Sequence, residues 1–320
     1  MDIFPLDKQW RLDQRGYTPG LSYKLTWLSG LVPYTQVQQI LSDVGQLHLG
    51  RTIIWEQVQS HGERLQIYVE QEQKSVSVER TRWDSQQYEP KMTRCISMDG
   101  GMVCLREEGW KEMKVGLVSD FEVQWDKEEA GVKLKNMDYC ALIGNVKSFD
   151  KALWALAVKH HVPYAGQLVV VADGAQWIWR LVADLFPVCT QILDYYHAKQ
   201  QLAQAIHTIY PQDEIQAQSC LKQMSDALFR GEIFKIIAEL NAHGHPATYF
   251  VKQQRRMQYQ QFRTDGFPIG SGGIESAIKQ FKQRLTGPGM RWSRQGASRM
   301  ITIRSAILSD SFHDLWQRAS

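Results

Sequence analysis

The chain has 320 residues and a formal net charge of only +3, so it is long enough for a large core but its total charge does not argue for nucleic acid. Hydrophobic residues make up 43% and charged residues 22%, which is ordinary for a globular protein. No apolar run approaches the roughly 20 residues that span a bilayer, and the first residues lack the pattern of a secretory signal. We therefore expect a cytoplasmic, nucleoid-associated prokaryotic protein without a membrane partner.

Cysteine use argues against two further classes. The five cysteines are scattered and odd in number, and no CxxC pair occurs. This pattern disfavours both a zinc site and a disulfide scaffold. Reduced core thiols are the expected state.

Residues 1–65 are predicted to be helical, with helices near 21–30, 33–45 and 51–65. Helix, Gly-containing turn and helix is the outline of a helix-turn-helix, whose second helix enters the major groove of DNA. A plain helical hairpin packed on the next domain is an equally open interpretation. In the third helix the apolar positions are Ile54, Val58 and Leu65. The positions expected to be exposed are Arg51, Gln57, Gln59 and Arg64.

Residues 66–90 are polar and are interpreted as a helix-to-linker segment that ends at Pro90. From 91 to 210 strands and helices alternate. Two strands, "TRCISM" and "MVCLREE", are separated by a Gly100–Gly101 hairpin turn, and "WKEMKVGLVSDFEVQ" is the third. Two further strands, "QLVVVAD" and "CTQILD", are each followed by a helix. This is the order of an RNase H-like α/β core with a mixed five-stranded sheet and flanking helices.

The rest of the chain is predicted to be helical. Residues 211–265 form an all-helical insertion, and residues 266–320 supply the last helices of the core together with a basic segment. The insertion carries a second basic cluster with aromatic residues, which is a secondary candidate for DNA contact. Its members are Tyr249, Lys252, Arg255, Arg256, Tyr259 and Arg263.

Two aspartates follow apolar, β-branched runs. Asp99 follows the run "RCISM" and Asp173 follows the run "QLVVVA", and each aspartate is followed by Gly. In an RNase H-like sheet the first strand neighbours the fourth, and open α/β sheets bind ligands at the carboxyl ends of their strands. Paired acids repel each other and a cation relieves that repulsion. The pattern therefore predicts a divalent-metal site, although Asp-Gly is also a common turn signal and Asp173 could equally cap a helix.

Glu275 opens a predicted helix that carries several basic residues. At 100° per residue it lies at the rim of the apolar face, on the side of Lys279 and Lys282. The acid could bind a metal while the two lysines hold phosphates. The alternative is an ordinary exposed Glu–Lys pair at i, i+4.

Asp194 and His197 form an Asp-x-x-His element in "ILDYYHAKQQL". Asp194 is expected to cap the following helix and is an accessory candidate for the site. His197 could act as an acid–base group, orient a water or contact the scissile strand. A purely structural histidine is the open alternative.

The segment from residue 279 to residue 304 carries seven basic residues and no acid. A basic run with an aromatic residue is typical of nucleic-acid contact, and its lack of a counter-charge disfavours a merely solvated face. The candidate DNA-binding residues are Lys279, Lys282, Arg284, Arg291, Trp292, Arg294 and Arg299.

The chain resembles bacterial insertion-sequence transposases of the DDE class, in the Mutator-like, ISKra-type group. The motifs that carry the resemblance are "SMDGGMVCLREEGWKEMKVG", "VVVADGAQWIWRL", "ILDYYHAKQQL" and "GFPIGSGGIESAIKQFKQRLTGPGMRWSRQGA". It implies an RNase H-like catalytic core with a helical insertion before the last acid. It also implies Mg²⁺, with Mn²⁺ as a substitute, held by Asp99, Asp173 and Glu275.

The same resemblance implies metal-dependent cutting at transposon ends and strand transfer into target DNA. The expected partners are double-stranded DNA, as terminal inverted repeats and as target, and further copies of the chain. Relatives usually carry more chain before the segment that matches "FPLDKQWRL", so a truncated or domesticated copy that binds DNA without cutting it is the main alternative. A helical scaffold, in which the acids are only turn and cap residues, is a third possibility.

Overall fold

The computed structural model describes residues 9–10, 12, 16–76, 89–126 and 129–319. Three helices come first: α1 (Pro19–Leu31), α2 (Tyr34–Asp43) and α3 (Arg51–Ser75). The strands β1 (Glu89–Leu105), β2 (Gly109–Asp126) and β3 (Glu129–Ile143) follow. Next come α4 (Val146–Lys159), β4 (Ala165–Ala172), α5 (Gln176–Leu185), β5 (Thr190–Leu193) and α6 (Tyr195–Ile209). The remaining helices are α7 (Glu214–Phe229), α8 (Ile233–Ala242), α9 (Thr248–Gln253), α10 (Tyr259–Thr264), α11 (Gly272–Leu285), α12 (Arg294–Leu308) and α13 (Phe312–Arg318).

The five strands form one mixed sheet in the order β3-β2-β1-β4-β5. The pairs β1/β2 and β2/β3 are antiparallel, whereas β1/β4 and β4/β5 are parallel. The predicted mixed five-stranded sheet with flanking helices is confirmed, and the arrangement is consistent with an RNase H-like α/β fold.

The predicted hairpin turn at Gly100–Gly101 is wrong. Strand β1 runs unbroken through both glycines, which pair with Lys114 and Met113 of β2. The chain turns instead after Leu105, where Gly109 has a φ of +70°. A methyl group at Gly101 would lie 3.5 Å from the side chains of Ile278 and Lys282 in α11. That distance is ordinary van der Waals contact, so Gly101 lies directly under α11 within the strand and does not mark a turn.

The third antiparallel strand is β3, not the segment predicted from the sequence. The predicted first and second strands are one strand, β1, and the predicted third strand is β2. The sequence interpretation treated the region of β3 as a loop. Strand β3 lies at the edge of the sheet, and from residue 131 to residue 137 none of its residues is fully buried. A half-solvated edge strand lacks the apolar run that identifies a buried strand.

The sheet separates two hydrophobic cores. One face packs on α4, α5 and α6 and on the helices of the 211–265 region, with Ile96, Met98 and Val170 fully buried there. The other face packs on α11, α12 and α13 together with the N-terminal helices, with Leu117 and Phe281 fully buried. The chain thus forms helical layers on both sides of one sheet, as expected for α/β architecture.

The N-terminal helices are part of this second layer. The buried residues Ile54, Val58 and Leu65 of α3 share a core with α12, which confirms the predicted apolar face. However, Gln57 and Gln59 are also buried, at 3% and 8% exposure, so the prediction that they are exposed is wrong. They face the protein because α3 packs along α12, and this arrangement favours the helical-hairpin interpretation over an independent helix-turn-helix.

The predicted helix-to-linker segment, residues 66–90, begins inside a helix. Helix α3 continues to Ser75, so the boundary expected at residue 65 falls inside a helix. Residues 77–88 of the predicted linker lie outside the described residues. Among the described helices, each is too short or too polar to cross a lipid bilayer.

Candidate metal centre

Asp99 and Asp173 lie side by side on neighbouring parallel strands. Met98 of β1 is paired with Ala172 of β4. Asp99 follows Met98 and Asp173 follows Ala172, so the two aspartates are neighbours. Each carboxylate accepts a local backbone hydrogen bond: Asp99 from Gly100 at 2.6 Å and Asp173 from Ala175 at 2.8 Å. Asp173 thus closes a short turn onto Ala175, the residue at the N-cap position of α5. Asp99 lies inside the unbroken strand β1 and starts no turn.

The two carboxylates repel each other. Burial raises the pKa of Asp99, and the charge of Asp173 adds to that rise. The cations of His197 and Lys282 act in the opposite direction. A bound cation beside this half-buried pair of acids would stabilise their charged forms.

Glu275 reaches the same place from α11. It lies in the first turn of that helix, and its Oε1 is 3.5 Å from the hydroxyl of Ser271 and 3.9 Å from Nδ1 of His197. Among the described ion pairs its partner is His197, so the proposed surface pair with Lys279 is not formed. The Gly-rich turn helps the helix approach the sheet, because a methyl group at Gly273 would lie 3.0 Å from Leu117.

Asp194 connects the other parts of the site. It is fully buried, and its Oδ1 accepts the backbone N–H of His197 at 2.7 Å, which confirms the predicted cap of α6. Its Oδ2 accepts the backbone N–H of Ser271. Burial would raise the pKa of Asp194, but the hydrogen bonds from His197 and Ser271 outweigh it and lower that pKa. The residue is a buried anion that holds two helices together.

His197 carries a positive charge at neutral pH. Its Nδ1 lies 3.2 Å from Oδ1 of Asp194. That hydrogen bond, assisted by the charges of Asp173 and Glu275 and opposed by burial, raises the pKa of His197 to about 9. The histidine is therefore a fixed cation beside the carboxylates.

Tyr249 of α9, predicted only as part of a secondary DNA-contact cluster, lies beside the candidate carboxylates. A methyl group at Gly174 would lie 2.9 Å from Cε2 and 3.2 Å from the hydroxyl oxygen of Tyr249. Burial and the charges of Asp173 and Asp194 raise the pKa of Tyr249. The phenol therefore stays neutral and can donate a hydrogen bond. The Gly after Asp173 provides the space for this ring.

Two other members of the predicted cluster in the insertion, Tyr259 and Arg256, contact the protein itself. Tyr259 is fully buried and donates its hydroxyl to the carbonyl oxygen of Leu193 at 3.0 Å. Arg256 lies over the ring of Trp179 at 4.2 Å. Neither side chain is placed to contact DNA in this conformation.

An open cleft of about 610 Å³ leads away from the carboxylates between α6 and α11. Its lining combines two acids, Asp99 and Glu275, with three lysines. The lining residues are Asp99, Tyr196, His197, Lys199, Gln200, Ala203, Glu275, Ile278, Lys279 and Lys282. Acids that could hold a cation and lysines in one cleft suit a substrate with phosphates.

The predicted DNA contacts at Arg284 and Trp292 require correction. Arg284 is 2% exposed, donates to the carbonyl oxygen of Ser29 at 2.5 Å and lies over the rings of Tyr34 and Trp292. Trp292 is 8% exposed and donates Nε1–H to the carbonyl oxygen of Leu285 at 2.9 Å. Both side chains hold α11 against its neighbours, so neither offers a surface to DNA here.

Two further arginines of this segment have acidic partners that are distant in sequence. Arg294 makes a two-pronged ion pair with Glu108, with both distances 2.6 Å. Arg299 pairs with Glu63 at 2.6 Å. The segment lacks acids of its own, but the fold supplies them. Lys279, Lys282 and Arg291 are the members of the predicted set that stay exposed without an ion pair among the described contacts.

Two overlapping groups of side chains are candidates for a cation site: the triad predicted from the sequence, and a group whose ligand atoms lie close together. Asp99, Asp173 and Glu275 offer only carboxylate oxygens, the ligands that Mg²⁺ prefers. In the second group, ligand atoms of Asp194, His197 and Glu275 all lie within 4.8 Å of one another. In that second group both oxygens of Asp194 already accept hydrogen bonds, from His197 and Ser271. A hard divalent cation prefers carboxylate oxygens, so the all-carboxylate group stays the predicted site.

Comparisons with known proteins add little. No protein-family model matches the chain, and no curated protein matches it. Among solved structures, the Drosophila P element transposase strand transfer complex matches with a TM-score of 0.30 and 11% identity over 94% of this chain and 80% of that chain. We base no assignment on so low a similarity. Membership of the Mutator-like, ISKra-type group stays a prediction from the sequence.

Proposed function

We propose that the chain is a DDE transposase that cuts DNA at transposon ends and joins the freed ends to target DNA. The observation that carries the proposal is that Asp99 and Glu275 line one cleft together with three lysines. Asp173 directly follows β4, at the register of Asp99 on the neighbouring strand β1. Carboxylates beside the carboxyl end of a strand of an α/β sheet, next to a basic groove, suit metal-dependent phosphodiester chemistry.

In this proposal Asp99, Asp173 and Glu275 hold Mg²⁺, and Mn²⁺ can replace it. Bound divalent ions supply activation of the attacking oxygen and stabilisation of the departing one. In the first step water attacks the phosphorus at the transposon end, the bond to O3′ breaks, and the departing oxygen takes up a proton. In the second step the free 3′-OH loses its proton and attacks a target phosphodiester, and a new 3′-OH departs.

The chain's own residues orient this reaction. Asp194 fixes the ring of His197, and Nε2 is the ring nitrogen that Asp194 does not engage. The charged imidazolium can donate from that atom to a phosphate oxygen, which neutralises part of the charge in the transition state. Lys279 and Lys282 are exposed on the cleft wall and can contact phosphates on either side of the reacting one.

Cleavage of labelled duplex DNA that carries the inverted repeats flanking the gene tests the proposal. We expect nicking at the repeat end with Mg²⁺ or Mn²⁺, and none with Asp173→Asn. The exposed Asp43→Asn serves as the matched control and should cut normally. DNA binding by the wild-type chain without any nicking would instead support a truncated or domesticated DNA-binding protein.

A metal titration discriminates the two candidate ligand groups. Binding of Mn²⁺ to the full chain, followed by electron paramagnetic resonance, should weaken sharply in Asp99→Asn. It should change less in His197→Gln, because the histidine is not a ligand in the all-carboxylate site. A larger loss of Mn²⁺ affinity in His197→Gln than in Asp99→Asn would place the ion at Asp194, His197 and Glu275.

A further inference from the structure

Tyr196 is a large exposed aromatic residue on the wall of the cleft that contains Asp99 and Glu275. Its side chain is 66% exposed, and it lies next to His197 in the first turn of α6. Scattered exposed apolar residues are normal on protein surfaces. This one differs because it shares a cleft with the candidate reacting groups.

The orientation of the Tyr196 ring is set by neighbours on two sides. The ring of Tyr195 meets it edge-on, with centroids 5.5 Å apart and an interplanar angle of 75°. On the other side a methyl group at Gly270 would lie 3.0 Å from Cε2 of Tyr196. The absence of a side chain at Gly270 lets the loop before α11 lie against the ring. The ring is therefore held in place while much of it stays open to solvent.

The charge around this ring suits a nucleic-acid strand. Lys199 and Gln200 follow on α6 and line the same cleft, and Lys279 and Lys282 face them from α11. All four side chains are polar or cationic, so the walls can bind phosphates while the tyrosine offers a stacking surface. Positively charged grooves with aromatic platforms are the usual way in which proteins hold single strands.

We propose that Tyr196 stacks on an unpaired DNA base next to the scissile phosphate, with Lys199 contacting the backbone of that strand. A base within a duplex is stacked on its neighbours and cannot present its face to a side chain, so the cleft selects DNA whose end is open or frayed. This inference rests on the proposed function for the identity of the nearby carboxylates. The binding itself requires no cleavage.

Fluorescence anisotropy with a labelled single-stranded oligonucleotide, the full chain and EDTA tests the proposal without catalysis. We expect Tyr196→Ala to weaken single-strand binding roughly ten-fold or more, and Tyr196→Phe to keep it, because stacking needs only the ring. Trp110→Ala is the matched control, since Trp110 is 61% exposed but lies outside this cleft. Its affinity should equal that of the wild-type chain.

Salt dependence separates stacking from charge. Lys199→Ala should reduce the slope of log affinity against log salt by about 0.7, whereas Tyr196→Ala should leave the slope unchanged. The proposal would be overturned if Tyr196→Ala bound the single strand with wild-type affinity, or if Trp110→Ala lost as much affinity as Tyr196→Ala. It would also be overturned if the wild-type chain bound no single strand. Failure of the transposase assignment would appear separately, as DNA binding that never leads to metal-dependent nicking.

Discussion

The buried carboxylate of Asp194 accepts a hydrogen bond from the backbone N–H of Ser271, the residue just before α11. The same carboxylate caps α6 and holds the ring of His197. One side chain therefore sets the relative position of the helix that carries His197 and the helix that carries Glu275. Glu275 is far from Asp99 in sequence, and its placement depends on this contact.

Replacing Asp194 should loosen both helices. Asp194→Ala removes a helix cap and leaves the buried N–H of Ser271 without an acceptor, so we expect a loss of about 2–4 kcal/mol in the free energy of unfolding. Asp194→Asn can still cap α6 and should cost less. Chemical denaturation measures both. Equal stability of Asp194→Ala and the wild-type chain would contradict the connecting role.

Gly174 should tolerate no side chain while Tyr249 is present. In Gly174→Ala the new methyl group would lie 2.9 Å from Cε2 of Tyr249, and such overpacking costs about 1–3 kcal/mol. In a Tyr249→Ala background the same change should cost much less, because the clashing ring is gone. A double-mutant cycle in chemical denaturation measures this coupling, and strictly additive losses would exclude it.

Arg284 should behave as a structural residue. Arg284→Ala loses the hydrogen bond to Ser29 and the packing on Tyr34 and Trp292, so we expect the free energy of unfolding to fall by about 2–4 kcal/mol. Arg284→Lys should also destabilise the fold, because an ammonium group cannot stack as a planar guanidinium does. Thermal unfolding followed by circular dichroism measures both variants. A variant that is fully stable but binds DNA weakly would restore the original prediction of DNA contact.

Lys279 and Lys282, unlike Arg284, should affect DNA binding and not stability. Each replacement by Ala should leave stability within about 0.5 kcal/mol of the wild-type value. Each should also reduce the salt slope of duplex DNA binding by about 0.9, because one phosphate contact is lost. Lys147→Ala, an exposed lysine on α4, is the matched control and should alter neither quantity. Unchanged slopes for both cleft lysines would remove α11 from the DNA surface.

Asp138 should make the fold sensitive to acid. Hydrogen bonds from His160 at 2.9 Å and Lys159 at 2.6 Å outweigh burial and lower the pKa of Asp138 far below its usual range. A lowered folded-state pKa contributes stability that is present above the unfolded value of about 3.9 and is lost as pH falls through the folded value.

The comparison of Asp138→Asn with the wild-type chain tests this. The variant should be less stable at neutral pH, and the two stabilities should converge as the pH falls below about 4. Urea denaturation across pH measures the difference. Asp43→Asn, at an exposed position, should follow the wild-type curve throughout. A difference that stays constant down to the lowest pH would argue against the pKa shift.

The sequence by itself determined the local features of this protein. Apolar runs predicted β4 and β5, helical periodicity predicted most helices, and the Asp-x-x-His spacing predicted the cap at Asp194. These features can be predicted because helical periodicity and helix capping involve residues only a few positions apart in the chain. Asp99 and Asp173 could be singled out together because strand order follows from a small set of allowed connections.

Only the tertiary structure decided which charged and aromatic residues are exposed and available to contact DNA. The basic segment lacks acids in sequence, but Glu63 and Glu108 neutralise two of its arginines from other elements, and Arg284 and Trp292 are buried. Gly100–Gly101 has the sequence of a turn, but the hydrogen-bonded ladder with β2 keeps it in a strand. Each outcome depends on contacts between segments far apart in the chain, which propensity and local spacing do not contain.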